Sequence, residues 1–402
     1  MSLPEIVVVG AARTPIGRYG GSLKSIHPAE LGAAAARAAL ERAGVRPQDV
    51  DEVLIGHARQ AGSGPNPGRQ VGMKAGVPAS APAQTINKAC ASGMQTIASG
   101  AQAIMFGESE VVLAGGIESM SRMPYLVDAD DARWGHRMGN FTLVDAMYRD
   151  GFTCSVCGMI MGETAELLAR EYKVTREESD AYALESHQRA EQAISAGRFR
   201  DEIAPVTYTD SKGKPATLEA DEHPRPGTTL DGLRKLPIVF RDVEGTPGII
   251  TAGSSSGITD GGAAVVLMSA DNAKRRGITP LARVTGWASA GVDPKRMGIG
   301  PVPAVKKLLE RTSLRLEDFD LVELNEAFAG QVLAVLRDLP IPMDRLNVNG
   351  GSIALGHPIG CTGTRIVVTL LYEMKRRNAR RGLATLCVSG GLGMAMAFER
   401  LS

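Results

Sequence analysis

The sequence lacks any continuous apolar segment close to the ~20 residues that a membrane-spanning helix needs. Its first residues, MSLPEIVVVGAARTPIGR, run directly into an apolar strand pattern, with no charged leader and no small-residue cleavage site. The chain ends ERLS, which is neither an SKL nor a KDEL signal. We therefore expect neither a membrane protein nor a secreted one.

The sequence also has few cysteines and no large excess of either charge. Lys and Arg total 45 against 44 Asp and Glu, far from the basic balance of a nucleic-acid-binding domain. The cysteines form an odd set in a long chain, unlike a disulfide framework. They are Cys90, Cys154, Cys157, Cys361 and Cys387. The sequence thus predicts a cytoplasmic protein with no nucleic-acid partner and no membrane attachment.

The length of 402 residues exceeds the roughly 250–300 residues at which a single core stops growing. An internal repeat explains the excess: residues 40–58 and 309–327 align without a gap, with eight of 19 positions identical. Val8-Val9-Gly10 and Val284-Thr285-Gly286 open the two copies. The repeat predicts two similar halves.

Alternating strand and helix patterns predict an α/β fold built from two duplicated βαβ-type halves, with mostly parallel sheets. We expect a first half over 1–270 and a second over 279–402. A segment at about 121–249, richer in charge and Pro/Gly punctuation, is expected to be a lid or loop domain inserted in the first half. Within it, Thr175 and Glu178 predict a capping box that begins a helix, and His187 is interpreted as a helix-face residue.

Cys90 lies where an apolar run ends and a helical pattern, ASGMQTIASGAQAIMFG, begins. A thiol at a helix N-terminus has its thiolate form favoured by the unpaired backbone N–H groups and the dipole. The alternative is a buried structural cysteine, and local spacing does not choose between the two.

His357 stands in a second glycine-rich stretch, just before a long helical pattern. An imidazole there can take a thiol proton and return it. Cys361, at the start of the same helix, is a rival nucleophile, but a small residue packed at a helix start is the simpler interpretation.

Cys387 ends a strand at a third glycine turn, the edge at which α/β sites form. The repeat aligns Asn325 with Gly56, so a polar amide occurs in one half only. An amide can donate to a developing oxyanion, directly or through water.

Two weaker patterns do not support a metal site or a dinucleotide site. Cys154 and Cys157 have metal-like spacing, but no second Cys or His pair follows at zinc spacing. Gly391-Leu-Gly393 suggests a dinucleotide fingerprint, but Met396 stands at its third glycine position, too near the end of the sequence for the acidic residue that the fingerprint requires. A zinc site and an NAD-dependent dehydrogenase are therefore both disfavoured.

Together these stretches resemble the thiolase family, which includes acetyl-CoA acetyltransferases and 3-ketoacyl-CoA thiolases. The similar motifs extend over nearly the whole chain and are NKACASGM at 87–94, GGIESMS at 115–121, NEAFA at 325–329, NVNGGSIALGHPIGCTG at 347–363 and CVSGGLG at 387–393. The resemblance implies a five-layer α-β-α-β-α fold, a homotetramer of two dimers, an acyl-CoA substrate, and no metal or redox cofactor.

The resemblance also implies roles for single residues. Cys90 would accept the acyl group, and His357 would activate it and help bind the thioester oxygen. Cys387 would remove the Cα proton of the second acyl-CoA, and Asn325 would hold a water of the oxyanion site. Arg225 and Ser256 are similar to the family's CoA-contacting positions.

Two departures from the family pattern concern specificity. Ile160 precedes Met-Gly where acetyl-specific relatives often carry histidine, and Ser389 replaces the usual glycine after the second cysteine. We expect an acetyl-CoA C-acetyltransferase, with a degradative thiolase of broader chain length as the alternative. A non-catalytic acyl-CoA carrier is the alternative of another class.

Overall fold

The computed structural model describes residues 3–240, 242, 243 and 245–401. Within them the helices are α1 Pro28–Ala43, α2 Pro67–Lys74, α3 Ser92–Met105, α4 Met161–Glu171, α5 Arg176–Ser195, α6 Leu230–Arg234, α7 Ala270–Arg275, α8 Pro301–Thr312, α9 Ala329–Asp338, α10 Ser352–Leu355 and α11 Ile359–Arg377. None of these helices is long and apolar enough to cross a membrane.

The strands of the same residues fall into one large sheet and three small hairpins. They are β1 Ile6–Arg13, β2 Gly17–Arg18, β3 Glu52–His57, β4 Ala83–Ile86, β5 Val111–Ser119, β6 Tyr125–Leu126, β7 Val144–Asp145, β8 Val206–Thr209, β9 Pro215–Leu218, β10 Asp242–Val243, β11 Thr246–Pro247, β12 Thr259–Ser269, β13 Ala282–Gly291, β14 Leu321–Leu324, β15 Arg381–Val388 and β16 Leu392–Glu399.

The large sheet runs in the order β14-β15-β16-β13-β1-β12-β5-β3-β4. A short pairing of β1 with β13 joins its two halves. The expectation of mostly parallel strands is wrong. Only β3 with β4, β3 with β5, and β14 with β15 are parallel among the described pairs of this sheet. Two strands account for most of the antiparallel pairs: β12, after the inserted segment, runs antiparallel to β1 and β5, and β16 runs antiparallel to β13 and β15.

Three apolar clusters give the fold its layers. The central cluster packs α3 and α11 between the inner faces of both half-sheets. A second cluster packs α1 and α2 on the outer face of the first half, and a third packs α8 and α9 on the outer face of the other. The order helix, sheet, helix, sheet, helix confirms the predicted five-layer α/β fold. Strands buried on both faces, such as β1 and β5, confirm the fully apolar strand patterns.

The repeat has a structural counterpart. Each copy folds as a helix, a short 3-10 turn and a strand: α1 to β3 in the first, α8 to β14 in the second. The opening strands also share an irregularity, because the register shifts between Val8 and Gly10 in β1 and between Val284 and Gly286 in β13. The boundaries at 270 and 279 stay predictions.

The segment between the halves carries α4, α5 and α6 with the small hairpins. Thr175 Oγ1 accepts the backbone N–H of Glu178, whose carboxylate accepts that of Thr175, which confirms the capping box of α5. The segment is tied to β1 by Arg13, which is 1% exposed and pairs with Glu202 and Asp221, both at 2.6 Å. Removing one partner of such a buried ion pair is strongly destabilising.

Three glycines let α3, α11 and β5 approach backbone to backbone. A Cβ at Gly116 would lie 2.4 Å from the carbonyl oxygen of Gly360 and 3.1 Å from Cα of Gly93. A Cβ at Gly93 would lie 2.9 Å from the backbone nitrogen of Thr364. No side chain fits these spaces, so the close crossing fixes where the N-termini of both helices lie.

Replacing Gly116 by alanine should therefore destabilise the protein by roughly 1–3 kcal/mol, the cost of overpacking a close-packed core. Urea unfolding followed by circular dichroism would measure the loss. Gly135→Ala is the matched control, because the nearest atom to its added Cβ, the Asp130 carbonyl oxygen, is 3.4 Å away. Equal stability of the two variants would contradict the close-crossing argument.

Candidate active site

Cys90 lies in the tight connection between β4 and α3. Ala89, immediately before it, has a φ of 45°, a left-handed conformation that costs free energy for a residue with a side chain. Asn87 braces the turn, because its side chain accepts the N–H of Ala89 and donates to the carbonyl of Ala58. The strained turn presents the thiol two residues before α3 begins.

The two cysteines far apart in the sequence converge. The backbone N–H of Ser389, two residues after Cys387, donates to the thiol of Cys90. Burial raises the pKa of Cys387, and the charge of Cys90 raises it further. Cys387 is 1% exposed and packs with Met297 and Ala327. The predicted meeting of the early and late thiols is thus present in the structure.

The resting state of Cys90 is set by opposing effects. Burial raises the pKa of its thiol, whereas the Arg59 guanidinium and the Ser389 N–H favour the thiolate. The sum lies above the ordinary value, so Cys90 rests as a thiol and becomes a thiolate only when its proton has an acceptor.

His357 has a ring nitrogen that is free to accept a proton. It lies two residues before Ile359, which packs in the same apolar cluster as Cys90. The Thr362 hydroxyl donates to the carbonyl of Pro358 and lies 2.6 Å from Nδ1 of His357. Since that hydroxyl has a single hydrogen, Nδ1 must carry the imidazole proton, which leaves Nε2 as the acceptor.

The imidazole is uncharged at rest. Burial, helped by the cations of Arg365 and Arg59, lowers the pKa of His357 to about 3. A neutral imidazole with a free Nε2 can take a proton from a neighbouring thiol, whereas an imidazolium cannot.

Asn325 is oriented by a short chain of donors. Arg365 donates to the hydroxyl of Ser352, which donates in turn to Oδ1 of Asn325 at 2.6 Å. The amide nitrogen Nδ2 is buried and has no hydrogen-bond partner among the described residues. An unpaired buried donor costs free energy, so this one is available for a bound water or a substrate oxygen.

Arg225 lies at a separate cleft, and Ser256 lies between that cleft and Cys387. Arg225 lines a cavity of about 240 Å³ together with His187, His223 and Gly253. Ser256 is not among its lining residues, but its N–H donates to the carbonyl of Ala327, beside Cys387. The cleft and the cysteine pair are thus linked by the segment 253–257.

Two interpretations of single residues can now be compared with the structure. Cys361 is 1% exposed in the central cluster, and burial raises its pKa to about 12, which confirms a packed residue at the helix start. His187 faces the cleft rather than simply a neighbouring helix, and burial beside His223 and Arg225 lowers its pKa to about 4.

Sequence reasoning missed three residues: Arg59, Thr362 and Ser352. Arg59 is 8% exposed, donates to the Gly151 carbonyl, and its Nε has no partner among the described residues. A buried guanidinium without a carboxylate partner has no local sequence signal. Thr362 was visible in the GHPIGCTG stretch, five residues from His357, as a candidate to fix the tautomer.

Comparison with known proteins gives one family for the whole chain. The family model described as "Thiolase, N-terminal domain" matches residues 6–271, and "Thiolase, C-terminal domain" matches residues 278–400. An acetyl-CoA acetyltransferase of Cupriavidus necator is 51% identical over 398 residues, which cover 99% of this chain and 100% of that protein. One of Pseudomonas aeruginosa is also 51% identical, over the same shares of both chains.

Solved structures agree in fold. The Bacillus anthracis acetyl-CoA acetyltransferase has a TM-score of 0.95 at 45% identity and covers 100% of both chains. Human mitochondrial 3-ketoacyl-CoA thiolase also has a TM-score of 0.95, at 44% identity over 99% of both chains. A further structure of that human enzyme is a complex with CoA.

Removing the cation near Cys90 should slow the alkylation of its thiol. Arg59→Met takes away a charge that favours the thiolate, so the pKa of Cys90 rises further and iodoacetamide labelling slows several-fold. The labelling rate would be measured across a pH series by mass spectrometry of the tryptic peptide 89–122, which contains Cys90. Arg59→Lys is the control and should keep most of the rate; equal slowing in both variants would contradict the charge argument.

Proposed function

This chain belongs to the thiolase family, and on that premise we propose that it is an acetyl-CoA C-acetyltransferase. It would join two acetyl-CoA molecules to acetoacetyl-CoA and CoA through an acetyl-cysteine intermediate, and would catalyse the reverse thiolysis. The observation that carries the proposal is the convergence of a half-buried and a buried thiol at one turn, together with a neutral imidazole whose Nε2 is free.

In the first half-reaction Cys90 is the nucleophile. Its sulfur attacks the thioester carbonyl while its proton passes to Nε2 of His357. The CoA thiolate then leaves and takes the proton back, so an acetyl group replaces hydrogen on Cys90 and CoA is released. Exchange of one thioester for another is nearly isoenergetic, which lets the step run in both directions.

In the second half-reaction Cys387 is the base. Once ionised, it removes a Cα proton from the second acetyl-CoA, and the carbanion attacks the acetyl carbonyl on Cys90. The C–S bond to Cys90 then breaks, acetoacetyl-CoA is released, and the Cys90 thiolate takes up a proton to replace the one that Cys387 lost on ionising. The charge of Cys90 is one cause of the raised pKa of Cys387. An acetylated Cys90 cannot form a thiolate, so this opposing charge is absent when Cys387 ionises in the loaded enzyme.

Negative charge on oxygen has two sets of donors in this proposal. Nδ2 of Asn325, buried and without a protein partner among the described residues, would hold a water that works with His357. The N–H of Ser389 already points at the sulfur that carries the acetyl group. Preorganised donors of this kind cost no reorganisation when the charge develops.

CoA itself would lie in the cleft beside Arg225, with Ser256 on the segment that leads to the cysteines. A guanidinium suits the phosphates of CoA, and the 3-ketoacyl-CoA thiolase neighbour that was solved as a complex with CoA supports CoA as the ligand. CoA is substrate and product here, and the proposed steps use no metal or redox cofactor. A homotetramer of two dimers and a cytoplasmic location complete the proposal.

A degradative thiolase of broader chain length is the second candidate. One observation favours it: Met161 packs against Cys387, and apolar Ile160 precedes it. A more apolar surround suits a longer acyl chain. The ~50% identical acetyltransferase relatives support the first candidate.

Acetyl transfer to Cys90 can be tested directly. After incubation with radiolabelled acetyl-CoA, the wild-type protein should carry label on the peptide 89–122, and Cys90→Ala should carry none. Cys387→Ala should still be labelled but should lose thiolysis by a factor on the order of 10² or more, because it keeps the nucleophile and lacks the second base. Label that persists in Cys90→Ala would refute the assignment.

Steady-state kinetics of thiolysis distinguish an enzyme from a non-catalytic carrier. An acyltransferase should show ping-pong kinetics with acetoacetyl-CoA and CoA. A background rate of turnover, with normal acyl-CoA binding, would favour the non-catalytic carrier.

Chain-length preference decides between the two thiolase candidates. We expect kcat/KM for thiolysis to be highest with acetoacetyl-CoA and to fall as the 3-ketoacyl chain is lengthened. Ile160→His should steepen that fall by placing a polar ring beside Met161. A rate that rises with chain length in the wild type would favour the degradative enzyme.

A further inference from the structure

Cys154 and Cys157 are a thiol pair that the proposed reaction does not use. They lie in a short loop of the inserted segment, closed by an antiparallel bridge between Thr153 and Ile160. The N–H of Cys154 donates to the carbonyl of Met159, and the N–H of Gly158 donates to the carbonyl of Cys154, both at 2.8 Å. This tight turn brings the two thiols close enough for each to change the pKa of the other.

The sulfur of Cys154 is surrounded by donors. The backbone N–H groups of Val156 and Cys157 point at it from its own loop, and that of Gly390 from the β15–β16 turn. Burial acts to raise the pKa of Cys154, but the donors outweigh it and the pKa falls below the ordinary value. Thiolate character is thus concentrated on the buried member of the pair.

Solvent exposure is greater at Cys157, the member of the pair with less thiolate character. Cys154 is 4% exposed, whereas Cys157 is partly exposed, next to Val156, which is 69% exposed. A small oxidant can reach the sulfur of Cys157, and the neighbouring Cys154 is poised to take its proton and then to attack it.

The pair is joined to the candidate active site by adjacent amides of one turn. The N–H of Ser389 donates to Cys90, and the N–H of the next residue, Gly390, donates to Cys154. Gly390 and Gly391 have φ of 86° and 83°, conformations that glycine adopts without strain. A change at Cys154 therefore acts on Gly390, which is adjacent to Ser389, the donor to Cys90.

We propose that Cys154 and Cys157 form a reversible disulfide with low-molecular-weight disulfides, and that its formation slows reaction at Cys90. In the disulfide the Cys154 sulfur is a weaker acceptor and is drawn towards Cys157. The Gly390 N–H then loses its partner, the flexible glycine turn relaxes, and Ser389 no longer holds the Cys90 sulfur in place.

The exchange has two steps, and it begins when Cys154 loses its proton to solvent. Cys157 attacks the S–S bond of the oxidant RSSR as its proton passes to the Cys154 thiolate, which releases one RS⁻ and forms a mixed disulfide. The released RS⁻ takes this proton from Cys154, whose thiolate attacks the Cys157 sulfur and displaces the second RS⁻, and that RS⁻ takes up a proton from solvent. Two protein thiols are oxidised to one disulfide, and RSSR is reduced to two RSH.

The test is a redox titration of the full-length protein in buffers of reduced and oxidised glutathione. After acid quench, alkylation and tryptic digestion, both cysteines fall in the peptide 150–170. We expect this peptide to become lighter by two hydrogen atoms and to escape alkylation in oxidising buffer, and to revert with excess thiol. Both cysteines remaining alkylated in the most oxidising buffer would overturn the proposal.

The digest also separates this disulfide from one between the active-site thiols. Cys90 and Cys387 fall in the peptides 89–122 and 382–400, so a bond between them would appear as a cross-linked peptide pair. Such a pair in place of the 150–170 disulfide would also overturn the proposal.

Coupling to Cys90 is measured without relying on the proposed function. The rate at which iodoacetamide alkylates Cys90 should change in the oxidised protein, and thiolysis should fall roughly three- to tenfold, less than the loss of a whole oxyanion donor. Cys157→Ser is the matched control: it keeps Cys154, and neither rate should respond to oxidised glutathione. If the disulfide forms and both rates stay unchanged, the coupling is refuted. If the alkylation rate changes but the protein shows no thiolysis at all, only the proposed acetyltransferase function is refuted.

Discussion

The close contact of Gly93, Gly116 and Gly360 is the constraint on which the rest of the structure depends. Because backbone meets backbone there, α3 and α11 begin side by side at the end of β5. Each helix start carries one candidate residue: Cys90 just before α3 and His357 just before α11. A larger residue at the crossing would push the two helix starts apart, and with them Cys90 and His357.

Burial and a few fixed donors then set the chemistry. Burial keeps the thiols protonated and the imidazole neutral, so the resting site holds little charge of its own. Arg59 and the Ser389 amide favour charge only at Cys90. In a low-dielectric site, donors that are already in place stabilise charge as it develops better than water can. In the proposed reaction the two halves would supply complementary parts: a nucleophile from the first, and a base, an acceptor and an amide from the second.

Much of this could be predicted from the sequence, for identifiable reasons. The duplicated α/β architecture follows from an eight-identity repeat and from strands that are apolar on both faces, and the five layers follow from the resemblance to the thiolase family. Cys90, His357, Asn325 and Cys387 each stand beside a turn in a glycine-rich or otherwise distinctive motif, which is why they could be selected. The direction of the strands could not be predicted, because the local pattern does not specify how β12 enters the sheet after the inserted segment or that β16 pairs antiparallel with β13 and β15. Arg59 and Ser352 were missed because their importance arises from partners distant in sequence, Gly151 and Arg365.

The sequence alone determined the family, the duplicated architecture and the identity of the reactive side chains, since these depend on local patterns and motifs. Only the tertiary structure decided which nitrogen of His357 is free, which sulfur carries thiolate character, and that one turn donates to both Cys90 and Cys154. Hydrogen-bond direction and burial are properties of atoms brought together from distant parts of the chain. A linear pattern can name such atoms, but it does not fix the distances and angles between them.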